Sequence, residues 1–276
     1  MSEADKKRRQ QAAAARDAAT AGEKRRERTV RIVGAVTVAV VVVGIIGIAV
    51  FASQSSKEPT STDIPVADAS AALPAGVLGP DEDLAYGVPY GSAAADAPVL
   101  ALWEDFQCPA CGSLEKANGD GIARLAEEGK VKLVWRPTTF LDGNLGNDAS
   151  VRAVAAWGCA IDAGKTREFH DYVYATQPAT EGEGWTNEQL IEFGGAAGIT
   201  GADLDTFTSC VNDGTYLTWA SNSTSEFYGD NIQGTPHALL NGVEVPIGTV
   251  ADAAALEKYI ADSAAGAAPA ASPSAS

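Results

Sequence analysis

Histidine is almost missing from this chain, at two residues in 276, and cysteine is scarce, at four. A structural zinc site takes four Cys or His ligands, usually as two closely spaced pairs. Cys108 and Cys111 make one CxxC, but Cys159, Cys210, His170 and His237 each stand alone, which argues against a zinc module. Positive charge is also sparse after residue 31. Residues 1–31 hold ten Lys/Arg against five acids, net +5, which leaves −21 of the total −16 for the rest. So acidic a body argues against nucleic acid as a partner and for a plainly solvated surface. There is no internal repeat and no clear A-x-A cleavage signal. No cysteine closely follows the one long apolar run, which excludes a lipid-anchored lipoprotein.

That run, Ile32 to Phe51, has 20 residues and no charge. Twenty apolar residues can span a bilayer as one helix. The basic flank should remain cytoplasmic and send residues 52–276 outward. A cleaved signal peptide is the competing reading, but the basic region and the apolar core are both long for one. The expected organisation is therefore a basic cytoplasmic segment (1–31) and a transmembrane helix (32–51). A Ser/Thr/Pro/Ala-rich linker (52–80), one domain (81–264) and a disordered low-complexity tail (265–276) follow. Outside the cytosol disulfides persist, so four cysteines read as two pairs.

The first pair carries the chemistry. Cys108-Pro109-Ala110-Cys111 lies between the apolar run Val99–Trp103 and a helix-like stretch. Residues i and i+3 share one face of a helical turn, so the two sulfurs can bond there. A helix N-terminus adds unpaired N–H groups and a partial positive charge, which favour the thiolate of the more exposed Cys108. A thiol so tuned is nucleophilic near neutral pH and leaves easily.

Residues 98–106 read as a buried strand, and a helix should run from the CxxC to about Glu128, stopped by Gly129. Val131–Trp135 reads as a second strand, giving a β-α-β unit with a parallel pair. Val151, Val154, Ala155, Gly158 and Cys159 fall at helical spacing. Thr186/Gln189 and Thr200/Asp203 have the capping-box pattern ahead of two further helices, and another helix is expected over about 215–229. Asn241-Gly242 between two short apolar runs signals a tight hairpin. Thr249 and Asp252 should cap a last helix. The flanking parts should build a four- or five-stranded sheet, with a helical insert over about 142–230 standing outside it.

This pattern resembles the thioredoxin superfamily and, within it, the DsbA-like branch, over about residues 83–262. The residues that carry the resemblance are Glu104-Asp105-Phe106-Gln107-Cys108-Pro109-Ala110-Cys111, and Gly234-Thr235-Pro236 followed by a hairpin and a last helix. Cys108 and Pro236 stand 128 positions apart, leaving room for the helical insert of that branch. The N-terminal anchor and the acidic, Ala-rich domain look similar to membrane-tethered members in actinobacteria. The resemblance implies an α/β, thioredoxin-like fold with an inserted helical domain, preceded by one transmembrane helix. It also implies that Pro236 is a cis-proline facing the CxxC, with the backbone of Thr235 offered to substrate; the alternative is an ordinary trans-proline at a strand entry. It further implies a protein disulfide oxidoreductase that forms disulfides in exported, cysteine-containing proteins. Such an enzyme needs no cofactor or metal in its own chain, and a quinone-linked membrane partner re-oxidises it.

Two departures bear on direction. The dipeptide is Pro109-Ala110 where the best-known oxidase of the branch has Pro-His, so no imidazole supports the Cys108 thiolate. Thr235 replaces a valine, and Thr there also occurs in isomerase-like relatives. An isomerase or reductase on the same fold, or a non-catalytic peptide-binding module, are the alternatives. Cys159 and Cys210, both in the insert, should form a structural disulfide; closing a loop of that length stabilises by about 4 kcal/mol in the chain-entropy model. Buried free thiols or a second redox centre are the other possibilities. Glu104 can face inward as a proton acceptor or lie at a solvated strand end. His237 can touch substrate or tune Cys108, or sit on a surface strand. His170, among charged neighbours, should face solvent. The five tryptophans should line core or groove.

Overall fold

The computed structural model describes residues 64–264. The expected basic segment (1–31), membrane span (32–51), first part of the linker and C-terminal tail lie outside the described residues. Among those described, no helix is long and apolar enough to cross a membrane.

A five-stranded mixed sheet forms the centre. Its strands are β1 (Val88–Tyr90), β2 (Val99–Glu104), β3 (Lys132–Pro137), β4 (His237–Leu240) and β5 (Val243–Val245). Their spatial order is β1-β3-β2-β4-β5, with β2 and β3 parallel and the other neighbours antiparallel. Helix α1 (Pro109–Glu127) joins the parallel pair. β2 is an almost unbroken apolar run because elements cover both its faces; Leu100, Leu102 and Trp103 are fully buried. The β4–β5 hairpin turns at Asn241-Gly242, whose φ angles of +50° and +79° are those a type I′ turn requires.

Between β3 and β4 the chain leaves the sheet for six helices: α2 (Phe140–Leu145), α3 (Ala149–Asp162), α4 (Thr166–Ala175), α5 (Asn187–Ala196), α6 (Ala202–Asp213) and α7 (Leu217–Gly229). A four-residue helix, α8 (Ile247–Val250), and a longer one, α9 (Ala253–Ala264), close the fold. α3 is the axis of the insert and is buried on nearly every side, which its run of Ala, Val and Gly permits. Gly158 is small for a reason: a Cβ there would come within 2.7 Å of the Tyr216 ring.

The structure corrects several expectations. The linker ends well before residue 80. Asn222 accepts from the Asp68 N–H at 2.7 Å and donates to the Asp68 carbonyl at 2.8 Å, and Asp162 accepts from the Ala75 N–H. With Pro74 buried and Leu73 against the core, this stretch is part of the domain. β1 was not legible, being three residues with a proline at its centre. Thr186 and Gln189 form both bonds of a capping box. Thr200 and Asp203 do not; α6 instead starts from Gly201, whose φ of +60° a threonine would resist. Asp252 alone caps the last helix, accepting from the N–H groups of Ala254 and Ala255.

Candidate active site

β2 ends at Glu104, and the chain turns through Asp105, Phe106 and Gln107 into α1. Cys108 is the N-cap, with φ −71° and ψ 118°, and Pro109 occupies the first helical position. Proline is suited to that place, since its missing N–H would have no helical partner. Cys108 and Cys111 are free thiols in this structure; Cys108 is 7% exposed and Cys111 fully enclosed. Opposite them lies the Thr235–Pro236 peptide, which is cis. The Cys108 thiol donates to the Thr235 carbonyl at 3.3 Å. The two sequence segments singled out above therefore meet across 127 positions.

The two sulfurs are electrostatically unlike. The Cys111 thiol, the Thr235 side chain and the backbone N–H groups of Cys111 and Ala110 favour the Cys108 thiolate against burial, pulling its pKa down to about 6. Burial pushes Cys111 well above the ordinary thiol range, and Cys108 and Glu104 push the same way. The pair thus has one sulfur fit to be attacked and to leave, and one held as a protonated thiol.

Below the dithiol lies a buried charged cluster. Glu104 is 5% exposed and faces inward, with its Oε2 3.3 Å from His170 Nε2. His170 is 1% exposed, which overturns its expected surface position. Its sequence neighbours Arg167, Glu168 and Asp171 suggested solvent. The ring is instead caged by Trp135, Phe106, Trp157 and Tyr174 at centroid distances of 4.6–5.6 Å. Burial opposes its charge, but Asp171, Glu104 and Glu115 outweigh that and raise its pKa to about 10. Burial, then the nearby Glu104, raises Glu115 to about 8. Glu104, Glu115 and His170 each bring a ligand atom within 4.8 Å of the others. With the imidazole protonated, the arrangement is an ion-pair cluster. Glu115 was missed in the sequence, although it stands one turn after Cys111 on the same helix face.

A second polar network pins the loop to the insert. Asp105 accepts from the Gln107 and Leu141 N–H groups and the Ser150 hydroxyl. Gln107 Nε2 donates to Asp142, Asn147 and Ser150 at 2.8–3.0 Å. Burial raises Asp105 to about 7 and Asp142 to about 6. Cys159 and Cys210 are bonded to each other, joining α3 to α6, far in sequence from the dithiol. His237, the first residue of β4, pairs with Trp103 and stays half-exposed beside Pro236. All five tryptophans except Trp185, which is 3% exposed, and Trp135, also 3%, are buried to 1% or less.

A helix-capping low-pKa cysteine, a buried second cysteine and a facing cis-proline loop on this sheet define a thiol–disulfide oxidoreductase of the DsbA-like kind. The chain belongs to the thioredoxin family, whose model matches residues 85–262. Among solved structures it is similar to the MdbA thiol-disulfide oxidoreductase of Actinomyces oris (21% identity, TM-score 0.58), over 72% of this chain and 96% of that one. Similar also are two proteins of Mycobacterium tuberculosis at 29% identity. Oxidised DsbA matches with TM-score 0.52 over 66% of this chain and 100% of its own. Reduced DsbG, a disulfide bond oxidoreductase, matches with TM-score 0.53 over 68% and 95%. No curated protein matches the sequence.

Proposed function

We propose that this protein is an extracytoplasmic oxidase that forms disulfides in exported proteins through its Cys108-Pro109-Ala110-Cys111 pair. The observation that carries the reading is the inequality of the two thiols, with Cys108 held near pKa 6 and Cys111 well above the usual range. A stabilised Cys108 thiolate favours the reduced dithiol and so makes the disulfide oxidising. The catalytic cycle begins with the oxidised pair. A substrate thiolate attacks Cys108 Sγ, the Cys108–Cys111 bond breaks, and Cys111 leaves with the electron pair and takes up a proton. A second substrate thiolate attacks the substrate sulfur of the mixed disulfide and expels the Cys108 thiolate. Two electrons pass from substrate to enzyme. Thr235 and Pro236 border the attacked sulfur, where an extended substrate backbone can pair beside it.

Residues 32–51 act as the anchor in this reading, with the catalytic domain outside the cytoplasmic membrane. A quinone-linked membrane protein accepts the two electrons and restores the disulfide. The neighbours at 29% identity, a DsbA and a DsbG, support thiol–disulfide exchange, and the acidic domain after a basic, apolar N-terminal segment supports a place outside the membrane. The test is the equilibrium of the pair against glutathione combined with refolding of reduced ribonuclease. An oxidase equilibrates well above thioredoxin, at about −270 mV, and accelerates oxidative refolding. A potential at the thioredoxin value assigns a reductase instead, and no rate above background assigns a peptide-binding role.

A further inference from the structure

Gln177 follows α4, in the helical insert, 66 positions after Cys111. Its side-chain amide Nε2 donates to the Phe106 carbonyl at 2.9 Å and to the Cys108 carbonyl at 2.9 Å. The backbone that presents it is fixed: the Gln177 N–H donates to the Tyr174 carbonyl and the Thr176 N–H to that of Tyr172. On the other side of the carboxamide lies Gly112 in α1. A Cβ on Gly112 would stand 2.3 Å from Gln177 Oε1. Gly112 is therefore what admits the glutamine to this place, and its own N–H donates to the same Cys108 carbonyl at 3.1 Å.

We infer that Gln177 is a positioning residue of the redox centre, holding the Phe106 and Cys108 carbonyls so that the loop presents the Cys108 sulfur in one orientation. Both carbonyls belong to the loop that carries the sulfur, and partial negative charge near a thiol opposes its ionisation. The two amide hydrogens of Gln177 point at these oxygens and offset their field. They also fix the N-cap geometry that aims the Ala110 and Cys111 N–H groups at the sulfur. The insert thus reaches the reactive cysteine directly through one side chain. The other titratable and polar groups around the pair are Glu115 on α1, Glu104 on β2, His170 and Tyr174 on α4, and the Thr235 hydroxyl. Substitution of Gln177 changes none of these side chains.

The inference rests on Cys108 being the ionised, exchanging sulfur, and the experiment separates the two. The rate of alkylation of reduced protein is followed from pH 4 to 9 in wild type, Gln177→Ala, Gln177→Glu, Gly112→Ala and the Gly112→Ala/Gln177→Ala double variant. Gln177→Glu keeps the shape and removes the donor. At pH 5 it should slow alkylation about tenfold, one pKa unit, and Gln177→Ala about threefold. Alanine is the better helix residue at 112, yet Gly112→Ala should displace the flexible carboxamide and slow alkylation like Gln177→Ala. The double variant should be no slower than either single one. Wild-type rates with Gln177→Glu and Gln177→Ala, beside a lowered wild-type pKa, would overturn the inference. So would a Gly112→Ala effect that persists undiminished on top of Gln177→Ala. An ordinary thiol pKa in the wild type would instead overturn the reading of Cys108.

Discussion

His170 Nε2 stands 3.3 Å from Glu104 Oε2, both side chains almost wholly buried, one brought by the inserted helices and the other by the central strand. Two carboxyls, Glu104 and Glu115, share this one imidazole, with Asp171 at its other nitrogen. Removing one partner of a buried pair leaves the other without compensation, at about 3–5 kcal/mol. His170→Leu should therefore lower unfolding free energy by roughly 3 kcal/mol or more. Adding Glu104→Gln to it should recover part of the loss. Urea unfolding of the two singles and the double variant gives the coupling; simple additivity would show that the contact does not hold the domain.

The same burial sets a pH dependence. His170 is raised from 6.5 to about 10, Glu115 from 4.5 to about 8, Asp105 from 3.8 to about 7 and Asp142 from 3.8 to about 6. In each case the folded protein binds the proton more tightly than the unfolded chain does. Their contribution is complete below the unfolded values and is lost as pH rises through the folded ones. The oxidised protein, whose active-site thiols do not titrate, should be more stable at pH 5 than at pH 8. Thermal melts of oxidised protein across that window test it, and a rising Tm would contradict the burial of these four groups.

The sequence made the redox centre readable because its parts are local. A CxxC after a buried strand and a Thr-Pro before an Asn-Gly hairpin are each set by a few adjacent residues. What lay hidden was contributed from a distance. His170 stands among Arg167, Glu168 and Asp171, and nothing in that surface-like string says that its ring enters a cage of aromatics from β3, α3 and the CxxC loop. Gln177 has no periodic pattern around it, and its two acceptors are backbone carbonyls about 70 positions away. Leu73 and Pro74 sit in a composition typical of linkers, and only the Asn222 and Asp162 side chains reveal that this stretch is docked. β1 escaped notice because its three residues are defined by pairing with β3 and not by their own pattern.

Cys159 and Cys210 close a loop with a sequence separation of 51 between α3 and α6. Their bond constrains the unfolded chain and is remote in sequence from the dithiol. Replacing both with Ser should cost about 3–4 kcal/mol on the chain-entropy account and leave the alkylation rate of Cys108 near its wild-type value. Denaturant melts and the alkylation assay read the two effects separately. Loss of exchange in a variant that still melts cooperatively would give this bridge a part in the chemistry.

The dithiol itself should report on stability. In the reduced protein Cys108 titrates near 6, against 9.0 for an ordinary thiol. A depressed pKa contributes stability that is present above the unfolded value and lost as pH falls through the folded one. The disulfide form has no such contribution. The stability of reduced minus oxidised protein should therefore grow as pH rises from about 6 to about 9, even while the buried carboxyls and His170 lower both forms together. Parallel urea titrations of the two redox states at pH 6, 7 and 8 measure this difference. A difference that stays flat across the window would mean that the folded protein does not favour the Cys108 thiolate, and the oxidising character argued for the pair would lose its physical basis.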